Sequence, residues 1–430
     1  MTTGDTMLSS PGQAAPAPDS AQEVHLARIE SREARSHRIS TSILIAIMAV
    51  LMLALVPRTS GTAQFSFLDS LSGKDLGTAK LPGLPTVLVS GILCALAAVA
   101  FAFKRSHGWI GTIAGVVAGV TVVVGLLTWA AAGASLPFQV SSQLEGTISL
   151  ATPLILGALC GVMCERSGVV NVAIEGQMLT AAFAAALVGS MTQSIAAALV
   201  AAVLAGVLMG ALLALFTIKY LVDEVVMGVV VNLFASGLTG FLFNQLLVTD
   251  ADKYNAAPIM EPIAIPGLSR IPFLGPILFN QTVLVYIGFL CIALVWFLLW
   301  RTRWGLRIRS VGEHPEAADT VGISVTAVRW SAVLVGGVFA GLGGAYFTIG
   351  TVGAFSKNIT VGNGFIALAA LMALFFSFVT QLSTELGPLG TPMPSQVLLL
   401  LPYIATIVAV AGLVGKVRAP AADGTPFVKE

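Results

Sequence analysis

The chain has 430 residues, of which 56% are hydrophobic and only 10% charged, with a formal net charge of +1 and a mean hydropathy of +0.92. Soluble domains carry roughly 25% charged residues, so the composition excludes them and indicates an all-α, polytopic transmembrane helical bundle. With no net basicity and no basic patch interleaved with aromatics, no nucleic-acid partner is expected.

Residues 1–38 read as a disordered, then basic tail. "SSPGQAAPAPDSAQ" is rich in Pro, Ala and Ser, and "EVHLARIESREARSHR" is densely charged. The apolar run that follows starts too far along the chain for a cleaved signal peptide. A bilayer is crossed by about 20 mostly apolar residues, and about 10–11 membrane segments are expected from 39–56, 84–103, 109–132, 146–163, 169–190, 194–218, 225–248, 281–300, 328–350, 362–379 and 396–414. Lys and Arg in short loops mark the cytoplasmic side. Arg28, Arg32, Arg35 and Arg38 place the N-terminus there. Alternation then puts Lys104 and Arg105, Arg166, Lys219 and the group Arg301, Arg303, Arg307 and Arg309 inside as well. Residues 249–280, with five prolines, fall outside and read as an ordered loop or lid. The count fails at the end: if 362–379 crosses once, Lys416 and Arg418 emerge outside. Either "GNGFIALAALM" is re-entrant or half-length, or the tail breaks the rule.

Small residues recur at helix-packing spacing in Gly111/Gly115/Gly119, Gly157/Gly161, Gly206/Gly210 and Gly337/Gly341, a pattern that lets helices approach closely in lipid. Cys94, Cys160, Cys164 and Cys291 all sit in apolar tracts without metal-ligand spacing, and read as small hydrophobes.

"GVVNVAIEGQMLTAAF" (168–183) places Asn171, Glu175 and Gln177 at the head of an apolar tract. On a helix Asn171, Glu175 and Met178 share one face at i, i+4 and i+7, with Gln177 turned toward a neighbour. A carboxylate in a membrane must face a cavity, a partner helix or the rim. Glu175 is therefore either a path residue or a cap paired with a neighbour such as Arg166. Asp223 and Glu224 suit the start of the next helix, and Asn232, about two turns in, needs an interhelical hydrogen bond or a polar path. In the cytoplasmic segment 301–330, Pro315 fits a first helical position, Glu316 its first turn and Gly322 the residue past its end. So short a helix is marginal alone and is either an ordinary interfacial helix or a docking element.

No phosphate-binding loop is present: "SGKD" (72–75) lacks the leading Gly and the hydroxyl residue, and "GNGFIA" (362–367) follows no strand. His25, His37, His107 and His314 all fall in tails or loops. The chain reads as neither an enzyme nor a metal-binding protein, and no cofactor of its own is expected.

Three stretches carry a family resemblance: 151–183, with "GVMCERSGVVNVAIEGQMLTAAF"; 222–242, "VDEVVMGVVVNLFASGLTGFL"; and 302–325, "TRWGLRIRSVGEHPEAADTVGISV". They resemble ABC-importer permeases of the nucleoside type, related to simple-sugar and branched-chain amino-acid permeases. Residues 394–415 and 419–427 are also similar, so the resemblance spans about 145–430. It implies 39–140 as extra N-terminal spans, 141–415 as the permease core with a cytoplasmic coupling loop at 301–325, and 416–430 as a tail. It implies Asn171, Glu175, Gln177 and Asn232 as substrate-path residues and Gly312, Glu313, Pro315, Glu316, Ala317 and Asp319 as the ATPase coupling element. The implied partners are an ABC ATPase subunit that uses ATP, a second permease in a heterodimer, an extracytoplasmic substrate-binding protein and the lipid of the plasma membrane. One departure stands out: family members continue from "GFIALAALM" into a Gly/Trp/Pro-containing turn, whereas here "ALMALFF" joins the flanks directly. An ion-coupled carrier using Glu175 is the rival reading; it gives no reason for a capped helix in the 301–330 segment.

Overall fold

The computed structural model describes residues 32–68, 75–103, 109–367, 372–389, 395–412 and 419–428. Most of the expected 1–38 tail, the Lys104–Arg105 pair, Lys416 and Arg418, and residues 368–371, which include the start of the "ALMALFF" junction, lie outside them.

Among the described residues, nine helices are long and apolar enough to cross a membrane. The N-terminal three are α1 (Arg32–Leu55), α2 (Gly83–Ala102) and α3 (Trp109–Ala131). A hairpin not read from the sequence joins α1 to α2. Its strands β1 (Thr62–Leu68) and β2 (Asp75–Pro82) pair antiparallel, and β3 (Phe138–Gln139) adds in parallel to β1. Phe65 meets Phe138 edge-on at 6.0 Å. The sheet thus ties the first three helices to the head of α4 (Val140–Glu165).

The remaining spans are α5 (Ile174–Thr192), α6 (Ile195–Ala214), α7 (Glu224–Leu242), α8 (Val283–Arg301) and, after two short helices α9 (Arg303–Glu313) and α10 (Pro315–Thr320), α11 (Val325–Tyr346). Glycine sets the closest approach. A Cβ on Gly206 of α6 would lie 2.5 Å from the Gly337 carbonyl and 2.8 Å from Gly341 Cα on α11, so the backbones meet where the small-residue spacing predicts. The expectation fails at Gly119 on α3, where a Cβ would meet nothing within 4 Å among the described residues. That spacing permits close approach but does not compel it. The 249–280 segment is ordered at the end that carries the hairpin. Ile263–Ala264 pairs with Asn280–Gln281, Phe273 meets Phe67 edge-on at 5.6 Å, and Ala257 and Met260 N–H groups bond to Gly353 and Ile349.

Within the expected 362–379 span the described residues form the short α12 (Asn363–Ala367) and α13 (Met372–Leu386). After α11 the chain reaches Glu175 near the head of α5, and α13 then runs back along α4. Gly157 faces Ala367 on α12, Gly146 faces Gln381, and Ser142 donates to Glu385 at 2.6 Å. This hairpin-like path is re-entrant, the first of the two alternatives. α14 (Ser395–Gly412) follows, and residues 419–428 lie at the end of the bundle that holds α9 and α10, where Ala422 N–H bonds to Gly312 O.

Candidate functional site

The first turn of α5 collects the polar groups. α4 ends at Glu165 and reverses through Gly168 at φ +81, so Asn171 lies in the turn before α5 and does not share a helix face with Glu175. The expected i, i+4, i+7 register is corrected to that extent: Ala173 is the residue preceding the helix. Asn171 Oδ1 accepts from the Ala173 N–H at 3.0 Å. Its Nδ2 donates to Gln177 Oε1 at 3.3 Å and to the sulfurs of Cys160 and Cys164 at 3.3 and 3.5 Å. The two cysteines, read as plain small hydrophobes, therefore line a buried polar knot. Gln177 is fully buried and, among the described residues, its Nε2 has no hydrogen-bond partner. A buried unpaired donor costs about 1–3 kcal/mol, so packing alone does not explain a glutamine here.

Glu175 is a cap, though not of Arg166. Its carboxylate accepts from the Thr360 hydroxyl, from Gly362 N–H at 2.9 Å and from Gly364 N–H at 2.6 Å. It therefore holds the tip of the re-entrant segment at the start of α12. Gly364 is needed for this approach, since a Cβ there would lie 2.5 Å from Glu175 Cα. Asn232, from α7, takes the place of a helical bond. Its Oδ1 accepts from Gly176 N–H at 2.7 Å and its Nδ2 donates to Val172 O at 2.9 Å, the two groups that an i→i−4 bond would pair. All four path candidates thus converge on the head of α5, with most of their hydrogen-bonding capacity spent on the protein.

The coupling segment holds more helix than the sequence indicated: α9 precedes the expected short helix. Thr302 caps α9 by accepting from Gly305 N–H at 3.0 Å. Pro315 opens α10, and Gly322 sits past its end at φ +83. Glu313, Glu316 and Ala317 are exposed, whereas Pro315 and Asp319 are half-buried. Gly312 is buried against the Arg166 carbonyl, so of the six coupling candidates it is a packing residue and offers no surface for docking.

Three charged residues were missed or misread. Asp223 caps α7, accepting from Val226 N–H at 2.9 Å, but Glu224 turns inward, is only 8% exposed and accepts from Val170 N–H. Arg329 is 3% exposed at the foot of α11 and donates to Thr425 O at 3.0 Å. Asp423 lies beside it. Burial and then the charge of Glu165 push its carboxyl up to about 6, against the pull of Arg329. The lone cation inside the 328–350 span was the available signal. Its anions come from distant segments and left no local trace.

Residues 143–410 match the family described as branched-chain amino acid transport system / permease component. The chain is 41% identical over 310 residues to the guanosine ABC transporter permease protein NupQ of Bacillus subtilis, covering 66% of this chain and 95% of that one. It is 39% identical to the nucleoside ABC transporter permease protein NupC of Lactococcus lactis, covering 65% and 94%. It is 34% identical to a putative glucose ABC transporter permease protein of Haloferax volcanii, covering 53% and 69%. No solved structure matches the chain.

Proposed function

Because the chain belongs to the permease-component family of branched-chain amino acid transport systems, as a multi-pass plasma-membrane subunit of an ABC importer, we propose that its substrate is a nucleoside. The observation that carries the mechanism is the connection between two places: an exposed, acidic α10 at one end of the bundle and a polar knot at the head of α5. The N-terminus and α10 face the cytoplasm in this reading. The end of α9 and α10 dock a partner ATPase through Glu313, Glu316 and Ala317, with Pro315 and Asp319 setting the shape of α10. ATP is bound and used by that partner, and no cofactor by this chain.

Asn171, Glu175, Gln177 and Asn232 serve the path by fixing α5 and the re-entrant tip, which move together in alternating access. Gln177 Nε2 is the donor that the knot would offer to the ring acceptors of a base when α5 and the tip move apart. Residues 141–415 form the permease core, paired with a second permease. The 249–280 loop and the adjoining hairpin offer the opposite face to a substrate-binding protein. Residues 39–140 are an added unit braced on α13 and α14 by Trp129, Leu386 and Leu398.

The test is ATP-driven uptake of labelled guanosine in vesicles carrying the complete importer, with unlabelled glucose as competitor. Saturable uptake indifferent to glucose is expected, and uptake abolished by glucose but not by unlabelled nucleosides refutes the substrate. Glu316→Arg should remove the ATPase on co-purification while the permease still inserts; an unchanged complex refutes the docking surface.

A further inference from the structure

Residues 419–427 lie beyond the 143–410 match, and their contacts are not those of a loose end. Asp423 N–H bonds to Pro420 O at 3.1 Å and Thr425 N–H to Ala422 O at 3.3 Å, with Gly424 at φ +69, so the segment is a compact turn. One side of it grips the coupling segment. Ala422 N–H donates to Gly312 O at 2.9 Å, and Ala421 N–H donates to Glu313 Oε2 at 3.2 Å. Phe427 packs on the apolar cluster that includes Ile308, Val311 and Ala318. The other side lies on the turn into α5. The Ala422 carbonyl would be 3.0 Å from a Cβ on Gly168, and Gly424 faces Val170.

We propose that residues 419–427 are an internal strap that passes displacement of the coupling helix to the head of α5, with Arg329 as its positioning residue. The proposal rests on reading 301–325 as the ATPase-docking segment. A helix as short as α10 does not hold its geometry alone, and a push on it is transmitted only through groups that cannot yield independently. The strap supplies such a route. Glu313 and Gly312 bond to Ala421 and Ala422, the strap covers Gly168 and Val170, and Val170 N–H is held by Glu224. One residue further on is Asn171, whose amide enters the Cys160–Cys164–Gln177 knot. Arg329 anchors the strap by its bond to Thr425 O and is attracted by the charges of Glu224 and Asp423. Two moving parts with one hydrogen-bonded backbone segment between them form a contiguous mechanical path.

The experiment measures substrate moved per ATP hydrolysed in vesicles carrying the complete importer. It uses a chain ending at Arg418 and, separately, the full chain with Gly424→Val, a β-branched residue forced to positive φ. The second variant keeps the test alive where the truncated chain does not accumulate. Both should keep the ATPase on co-purification and hydrolyse ATP, yet move about tenfold less substrate per ATP, within the usual range of coupling between two sites. A synthetic peptide of residues 419–430 should restore the ratio for the shortened chain. A ratio equal to that of the wild type in both variants overturns the strap. So does loss of the ATPase that the peptide does not reverse, since the tail would then serve assembly. Glu316→Arg is run alongside: if it leaves the ATPase bound, the docking reading falls and the strap with it.

Discussion

Replacing Glu175 with Gln tests whether a carboxylate holds the re-entrant tip. The wild-type side chain receives three donors, the Thr360 hydroxyl and the Gly362 and Gly364 amides. Glutamine keeps one acceptor oxygen and presents an NH2 to whatever faced the other, so at least one bond is lost and a donor opposes a donor. A hydrogen bond to a charged group contributes about 1.5–3 kcal/mol, and the bonds that remain lose roughly half their strength when the charge goes. Glu175 is half-buried, which favours the low end: about 1.5 kcal/mol for the lost bond and a similar sum for the weakened pair. A total of about 3 kcal/mol corresponds to roughly a hundredfold in the opening equilibrium of the tip. Hydrogen exchange on peptides covering 355–367 reads this directly. The Gly362 and Gly364 amides should exchange on the order of a hundredfold faster in Glu175→Gln and faster still in Glu175→Ala, with α4 unaffected. Equal protection in the wild type and Glu175→Gln would refute the capping role and return Glu175 to the candidates for direct substrate contact.

Three other outcomes are expected. Asn232→Leu removes both bonds to the first turn of α5; at about 0.6 kcal/mol per interhelical bond in a membrane, uptake should fall several-fold with protein level unchanged, and normal uptake would show that the i→i−4 bond simply closes in its place. Gly206→Val drives a side chain into the Gly337 carbonyl, so the purified protein should aggregate at a lower temperature than the same change at Gly119, where there is open space; equal midpoints would refute the close contact. Asp423 has a docked pKa raised from 3.8 to about 6. Docking is therefore fully favoured below the undocked value and weakens as pH rises through about 6, the direction required when the docked state binds more protons. Exchange of 419–425 should rise across that window with Glu165, Glu224 and Arg329 in place and stay flat in Asp423→Asn; the same slope in both would assign the titration to another group.

Composition and apolar runs by themselves determined that the chain is a helical membrane bundle and where most of its spans lie, because lipid imposes length and polarity on each segment separately. Local rules also placed Pro315, Glu316 and Gly322 correctly around a short helix, and small-residue spacing picked out Gly206, Gly337 and Gly341 before their contact was visible. Tertiary structure alone decided what the polar residues do. Glu175 meets Thr360, Gly362 and Gly364 from nearly two hundred positions away in sequence, and a hydrophobicity window reads the same 362–379 stretch as a span because apolar length cannot distinguish crossing from turning back. Arg329 draws Asp423 and Thr425 from the far end of the chain, and Gly312, placed by its motif on a docking surface, is buried by the Arg166 carbonyl. A charge or amide in an apolar tract announces that it needs a partner. Which partner satisfies it depends on how distant segments pack, and no local pattern encodes that.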